Sequence, residues 1–467
     1  MRPTHRTAVA TAFASGGPAE MAVRARSEPA TAGSIAAGNS PPLGLPLGFF
    51  LAGPLAFVAI NALLVFDGGN LLTYYLLPVD LSLTHLVTLG WVTMVMMGAL
   101  YQLTPVIFQT RLHSARLGRW QFGFYLIGVA GLVTSFRWLW APGLAIFGSA
   151  VVLAVALFLY NMARTLWRPP AWTVVGWYLA HSLSYLGMTV ISGLTFALDL
   201  RFHWFPIPQH VLAAHVDLGL IGWFTLTLMG VGYQLVPMFG LVHGHSLRLA
   251  RWILRALNLG ILLLFISLLL EWPRPVALLS VGMTGLGVAA YAFDVYRMFR
   301  RRRRRVLDLT QWHTILSTLC LLAAMLAVVR IASGNLGGLS AQTHWYLGTA
   351  YLALAGWVSF AIMGQYYKIL PFLIWNHRYA AQAGREPVPL LRDLYSGARA
   401  RVAFLLYLAG FVGVATSLLL GASLLVRLSA LLTLGGSLGF AWTLVEVLRP
   451  RSIRVAPARS PPRPSDP

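Results

Sequence analysis

Twelve apolar runs of about twenty residues, joined by short loops, succeed one another along this chain, and each is long enough to cross a hydrocarbon layer about 30 Å thick. They fall at 47–66, 82–106, 119–138, 142–163, 173–197, 210–236, 252–271, 274–296, 309–331, 344–370, 402–421 and 425–447. Lipid offers no water to backbone N–H and C=O groups, so such runs must bond internally as helices. The expectation is an all-α membrane protein with twelve transmembrane helices. Composition agrees: 58% of the 467 residues are hydrophobic and 10% charged, against about 25% charged in an ordinary soluble domain. A soluble fold is excluded.

The charge is one-sided, with 35 Lys and Arg against 13 Asp and Glu, but the arginines sit in every second loop rather than on one nucleic-acid-binding face. Arg111, Arg116 and Arg119, then Arg164 and Arg168, then Arg248, Arg251 and Arg255, then Arg297 with Arg300 to Arg305, then Lys368, Arg378, Arg385, Arg392 and Arg399 mark alternate loops. The rule that positive loops stay inside places these in the cytoplasm, and both termini with them. The reading is an integral protein of a bacterial-type cytoplasmic membrane, with lipid and not nucleic acid as its surroundings. The six-arginine run reads as a topological anchor. Residues 1–45 and 449–467 read as polar, disordered cytoplasmic tails, and Met21 is an alternative start. The single cysteine, Cys320, allows no disulfide framework and no cysteine-based metal cluster.

The chain repeats itself. GWVTMVMMGALYQLTP (90–105), GWFTLTLMGVGYQLVP (222–237) and GWVSFAIMGQYYKILP (356–371) share Gly, Trp, Met, Gly, Tyr and Pro at the same positions. The copies are four spans apart, which predicts three tandem four-helix units, 46–168, 169–305 and 306–448, about a pseudo-threefold axis. Parallel repeats of this kind leave clefts between units. The Gly, Met and Pro positions are expected to serve packing, and the Tyr at the inner end to anchor at the interface.

Twelve spans in three units, with histidines at the outer ends of second helices, resemble the catalytic subunit of heme-copper oxidases and their nitric oxide reductase relatives. In that family the tenth helix carries His-x-His upstream of a Gly-Trp or similar pair, each His serving a different heme. His215-Val216-Asp217, six to eight residues before Trp223, looks like that motif with its second His replaced and moved to the second unit. His85 lies six residues before Trp91, while His210 and His344 lie thirteen before their tryptophans. The resemblance implies that positions minus six and minus eight face opposite neighbouring units. His85 and His215 would then enter one cleft, differing in depth by roughly 3 Å at 1.5 Å per residue. His85 and His344 would differ by roughly 10 Å.

The expectation is one heme b held by His85 and His215, with Arg137, Arg274 and Arg427 as arginines suited to its propionates, and with Asp217, His210 and His344 as secondary candidates. His210 and His344 equally read as solvated at the outer interface, and His181 and His313 as packed and hydrogen-bonded. His243 and His245 are a weak surface-metal signal. The family's copper site needs a His in the sixth helix and a His-His pair in the seventh, and 252–271 has no histidine. Copper and proton-pumping oxygen reduction are therefore not expected. Two functions stay open: an oxidoreductase-like heme protein for electron transfer or nitric oxide-related chemistry, working beside respiratory or denitrification subunits or a cytochrome, and a cofactor-free scaffold or transporter that kept the fold.

Overall fold

A computed structural model describes residues 41–167, 172–303, 306–334 and 336–450. The expected tails fall almost wholly outside these residues, as do Met21, Arg168, Arg304 and Arg305. Among the described residues twelve long helices occur and no strand: α1 Gly44–Asp67, α2 Pro78–Ile107, α3 Ala115–Arg137, α4 Ala141–Leu166, α5 Val174–Phe202, α6 Gln209–Gly240, α7 Arg248–Leu269, α8 Arg274–Arg300, α9 Leu309–Ala332, α10 Leu339–Arg378, α11 Gly397–Leu420 and α12 Ser423–Leu448. Eleven are long and apolar enough to cross a membrane. The exception, α3, carries Arg116, Arg119 and Arg137 near its ends. The architecture is that of an integral membrane protein.

Helices α2, α6 and α10 are each interrupted by widened, π-helical turns at Leu86–Thr93, Leu218–Thr225 and Leu352–Val358, over the Gly-Trp of the repeat. Such turns rebond the backbone from the fourth to the fifth preceding carbonyl and cluster at functional sites. Beyond them the second motif glycine lets the preceding helix close in. A Cβ on Gly98, Gly230 or Gly364 would stand 2.6 Å from the Cβ of Phe49, Tyr178 or His313 respectively. Met97, Met229 and Met363 are fully buried, as packing residues should be. The motif tyrosines are not interface anchors: Tyr101, Tyr233 and Tyr367 are at most 4% exposed. Each instead faces the residue opposite the glycine, with ring centroids 5.6 Å apart for Phe49–Tyr101 and 5.7 Å for both Tyr178–Tyr233 and His313–Tyr367.

At the junction of α2, α6 and α10 the motif tryptophans exchange hydrogen bonds in a cycle. Trp91 Nε1–H donates to Ser359 Oγ at 3.0 Å, Trp357 to Thr225 Oγ1 at 3.1 Å, and Trp223 to Thr93 Oγ1 at 3.1 Å. Each acceptor stands two residues after a motif Trp. The Thr225 and Ser359 hydroxyls donate onward to Leu220 O and Leu354 O, five residues back, as the widened turn allows. Around this junction α2 packs on α3, α3 on α4, α4 on α5 and α5 on α6, so these five helices form an arc. The arc is continuous at α4, because Gly148 of α4 lies against Leu132 of α3 and against Leu194 and Ala197 of α5.

Candidate functional site

His85 closes the α-helical start of α2 and His215 stands near the end of the equivalent segment of α6, each just ahead of the widened turns. The His85 ring stacks on Phe136 of α3, centroids 4.3 Å apart and planes 20° from parallel. Its Nδ1 lies 2.7 Å from Leu81 O, and a carbonyl can only accept, so Nδ1 carries the proton. His215 rests on α5, edge-on to Phe196 at 5.6 Å and over Gly193, where an added Cβ would come within 3.1 Å of the ring. Its Nδ1 is 2.8 Å from Ser192 Oγ. That hydroxyl already gives its proton to Thr189 O at 2.9 Å, so it accepts from His215 Nδ1–H. Both rings are thereby fixed in the same tautomer, and among the described residues Nε2 of neither has a hydrogen-bond partner. Both side chains are half-buried, and His215 lies within electrostatic reach of His85. The helices against which they rest, α3 and α5, both pack on α4.

Asp217 is 7% exposed, and its Oδ2 has no partner among the described residues. It sits within electrostatic reach of Tyr185, whose hydroxyl donates to Asn258 Oδ1 at 2.9 Å. His210 lies 3.3 Å from Glu271 and half-exposed, while His344 stands against Gly421 of the α11–α12 turn. His181 bonds only the Trp177 carbonyl of its own helix, at 2.8 Å. His313 is fully buried, its Nδ1 bonded to Leu309 O at 2.7 Å and its Nε2 unpartnered.

The three arginines have three different partners. Arg137 forms a two-bond fork with Asp67 of α1, at 2.9 and 3.0 Å. Arg274 donates to Ala332 O of α9 at 2.9 Å, and Arg427 lies against Gly69 after α1. Arg137 is the neighbour of Phe136 on α3, but its guanidinium is already filled by a carboxylate. Their contacts lie on the α1–α3, α8–α9 and α12–α1 sides.

Two further features escape a reading of the residues alone. Ser192, which orients His215, lies on α5, where no repeat signal marks it. At the arginine-rich end, His245 is not a surface ligand: its side chain is 4% exposed and its Nε2 is 3.3 Å from the fully buried Asp294, which Arg297 approaches to 3.6 Å. The equivalent loops are tied down in the same way, Ser114 N–H donating to Asn161 Oδ1 at 3.1 Å and Ser396 N–H to Glu446 Oε2 at 2.8 Å. A Ser recurring before α3, α7 and α11 is the sequence signal for these tethers.

Chemically, two neutral imidazoles with free Nε2 lone pairs on facing helices suit a metal whose remaining positions a macrocycle supplies. Among the described residues no group of three or more His, Cys, Asp or Glu could hold a bare ion, so the pair stands without a third protein ligand. No known family's model matches the chain, and no protein of curated function matches it.

Proposed function

We propose that the chain is a heme-binding integral membrane protein, in which His85 and His215 would hold one heme b between α2 and α6. The observation that carries this reading is the pair of imidazoles just ahead of the widened turns: both have Nδ1–H committed to an oxygen acceptor, leaving Nε2 free. Ligating histidines are held in this way, the second nitrogen fixed by a hydrogen bond that sets tautomer and basicity. Phe136 and Phe196 supply apolar faces for a porphyrin. Held there, a heme would supply one-electron transfer, and the protein's part would be to hold it and exclude water. The reading extends to three four-helix units about a pseudo-threefold axis, with the arginine-rich loops and both termini cytoplasmic. The cyclic tryptophan bonds support it, since each unit gives one and takes one. Partner subunits or a cytochrome of a respiratory or denitrification chain fit a protein that passes electrons.

The test is the absorption spectrum of purified protein, native and with His85→Ala or His215→Ala. Reducible b-type bands in the native protein, lost or converted to five-coordinate bands in each variant, are expected. A spectrum unchanged in both variants overturns the ligand assignment, and native protein without heme leaves the cofactor-free scaffold.

A further inference from the structure

At the arginine-rich end, between α6, α8, α9 and α10, lies a crevice with about 320 Å³ of empty space including its open mouth. Between its side chains there is room for about one water molecule, the rest of that space being open to solvent at the mouth. Three buried polar atoms without partners face this one place: Arg302 Nε, Thr310 Oγ1 and Gln365 Oε1. Thr310 is 3% exposed. Leaving such groups unbonded costs about 1–3 kcal/mol each, so their convergence on one crevice calls for a polar ligand. The remaining wall is apolar, chiefly Phe239 and Met298.

The charge there is positive. Arg302 donates to Phe299 O at 2.7 Å but keeps its net charge, and exposed Arg300, Arg301 and Arg303 surround it. The nearby Asp308 carboxylate is neutralised by Lys368 at 2.7 Å. The repeat itself departs at this spot. Gln365 replaces Ala99 and Val231 of the other copies, and Lys368 replaces Gln102 and Gln234.

We propose that this crevice binds a phosphate group, with Arg302, Thr310 and the Gln365 amide as donors. The amide presents its NH₂ once turned over, since its two ends are interchangeable in shape. The apolar wall and the position at the end of the helices favour the phosphate of an anionic phospholipid, seated with a chain along Phe239 and Met298. Basic pockets between helices on the cytoplasmic side hold such headgroups. The proposal is independent of heme.

Native mass spectrometry of the full-length protein in detergent tests it, with phosphatidylglycerol titrated against phosphatidylcholine. Phosphatidylglycerol is expected to bind about tenfold more tightly, because the quaternary ammonium of phosphatidylcholine would bring a second positive charge against the arginine run. Arg302→Gln and Thr310→Val are expected to abolish the preference, as is Gln365→Val, which restores the residue of the second repeat. Arg303→Gln, on the same run, leaves it. Displacement of the lipid by millimolar inorganic phosphate assigns the site to the free anion, and persistence of the lipid assigns it to the headgroup. No preference for phosphatidylglycerol, or equal loss in Arg303→Gln, overturns the proposal as mere surface charge.

Discussion

Ser192 decides how His215 presents itself, because a neutral imidazole has one proton and its position is set by the acceptor it meets. His85 finds its acceptor in its own helix backbone, four residues back, where no substitution removes it. His215 depends on a side chain from another helix. Ser192→Ala is therefore expected to retain the fold while loosening the ring and making it a weaker donor. Heme affinity should fall about 10–100-fold and the midpoint potential rise, both restored by Ser192→Thr; redox titration with heme-to-protein ratios measures this. An unchanged potential in heme-loaded Ser192→Ala rejects the positioning role without touching the axial assignment. His85 and His215 were legible as candidates because a repeat gave them a common origin to count from. Ser192 was not, since which residue of α5 faces His215 depends on how two helices are rotated against each other, and no motif on α5 records that.

At the scale of the element, the twelve helices follow from apolar length alone, and their ends drift by a few residues because polar side chains prolong helices past the lipid. The largest drift, at the end of α10, runs through Trp375 to Arg378, where a Trp375 indole bond to Pro389 O at 2.7 Å secures the extension. The widened turns were not legible: a shift from the fourth to the fifth carbonyl has no residue signature of its own. What the sequence did contain was a hydroxyl two places after each motif Trp, the acceptor of a neighbour's indole. Thr93→Val keeps the shape and strands the Trp223 N–H in an apolar junction. A loss of about 1–3 kcal/mol is expected, seen as a lower apparent unfolding temperature in detergent, whereas Thr93→Ser should be nearly neutral. Between α1 and α2, Tyr75 packs edge-on to Tyr346 of α10, centroids 4.9 Å apart, and meets Gln209 of α6. Burial, then the neighbouring Tyr74 and Tyr346, push its phenol up to about 12. A raised phenol favours the protonated, folded form, so its contribution is complete below the ordinary value near 10 and is lost as the pH climbs to about 12. An alkaline titration at 295 nm should show a late component, and Tyr75→Phe should lower it by one tyrosine's amplitude.

For the whole molecule, the alternation of charge between loops makes a prediction that labelling can check. With Cys320→Ala as background, a cysteine at Asn70 should react with a membrane-impermeant maleimide in intact cells. One at His243 should react only after permeabilisation. The reverse pattern, or labelling of both in intact cells, rejects the cytoplasmic placement of the termini and of the arginine-rich end. The repeated motif was readable because its three copies lie at even spacing; which arginine meets which acid was not, because Asp67 and Arg137 are 70 residues apart and pair only through the packing of α1 on α3.

The indole of Trp91 is bonded to a hydroxyl 268 residues further along the chain. During synthesis that donor must wait, unsatisfied or borrowing a temporary acceptor, until the tenth helix leaves the translocon. Assembly can thus be completed only from the far end: a nascent chain halted after α8 has Trp223 already seated on Thr93 and Trp91 still waiting for the last repeat, and the arrival of α10 both relieves Trp91 and seats its own Trp357 on a hydroxyl already in place.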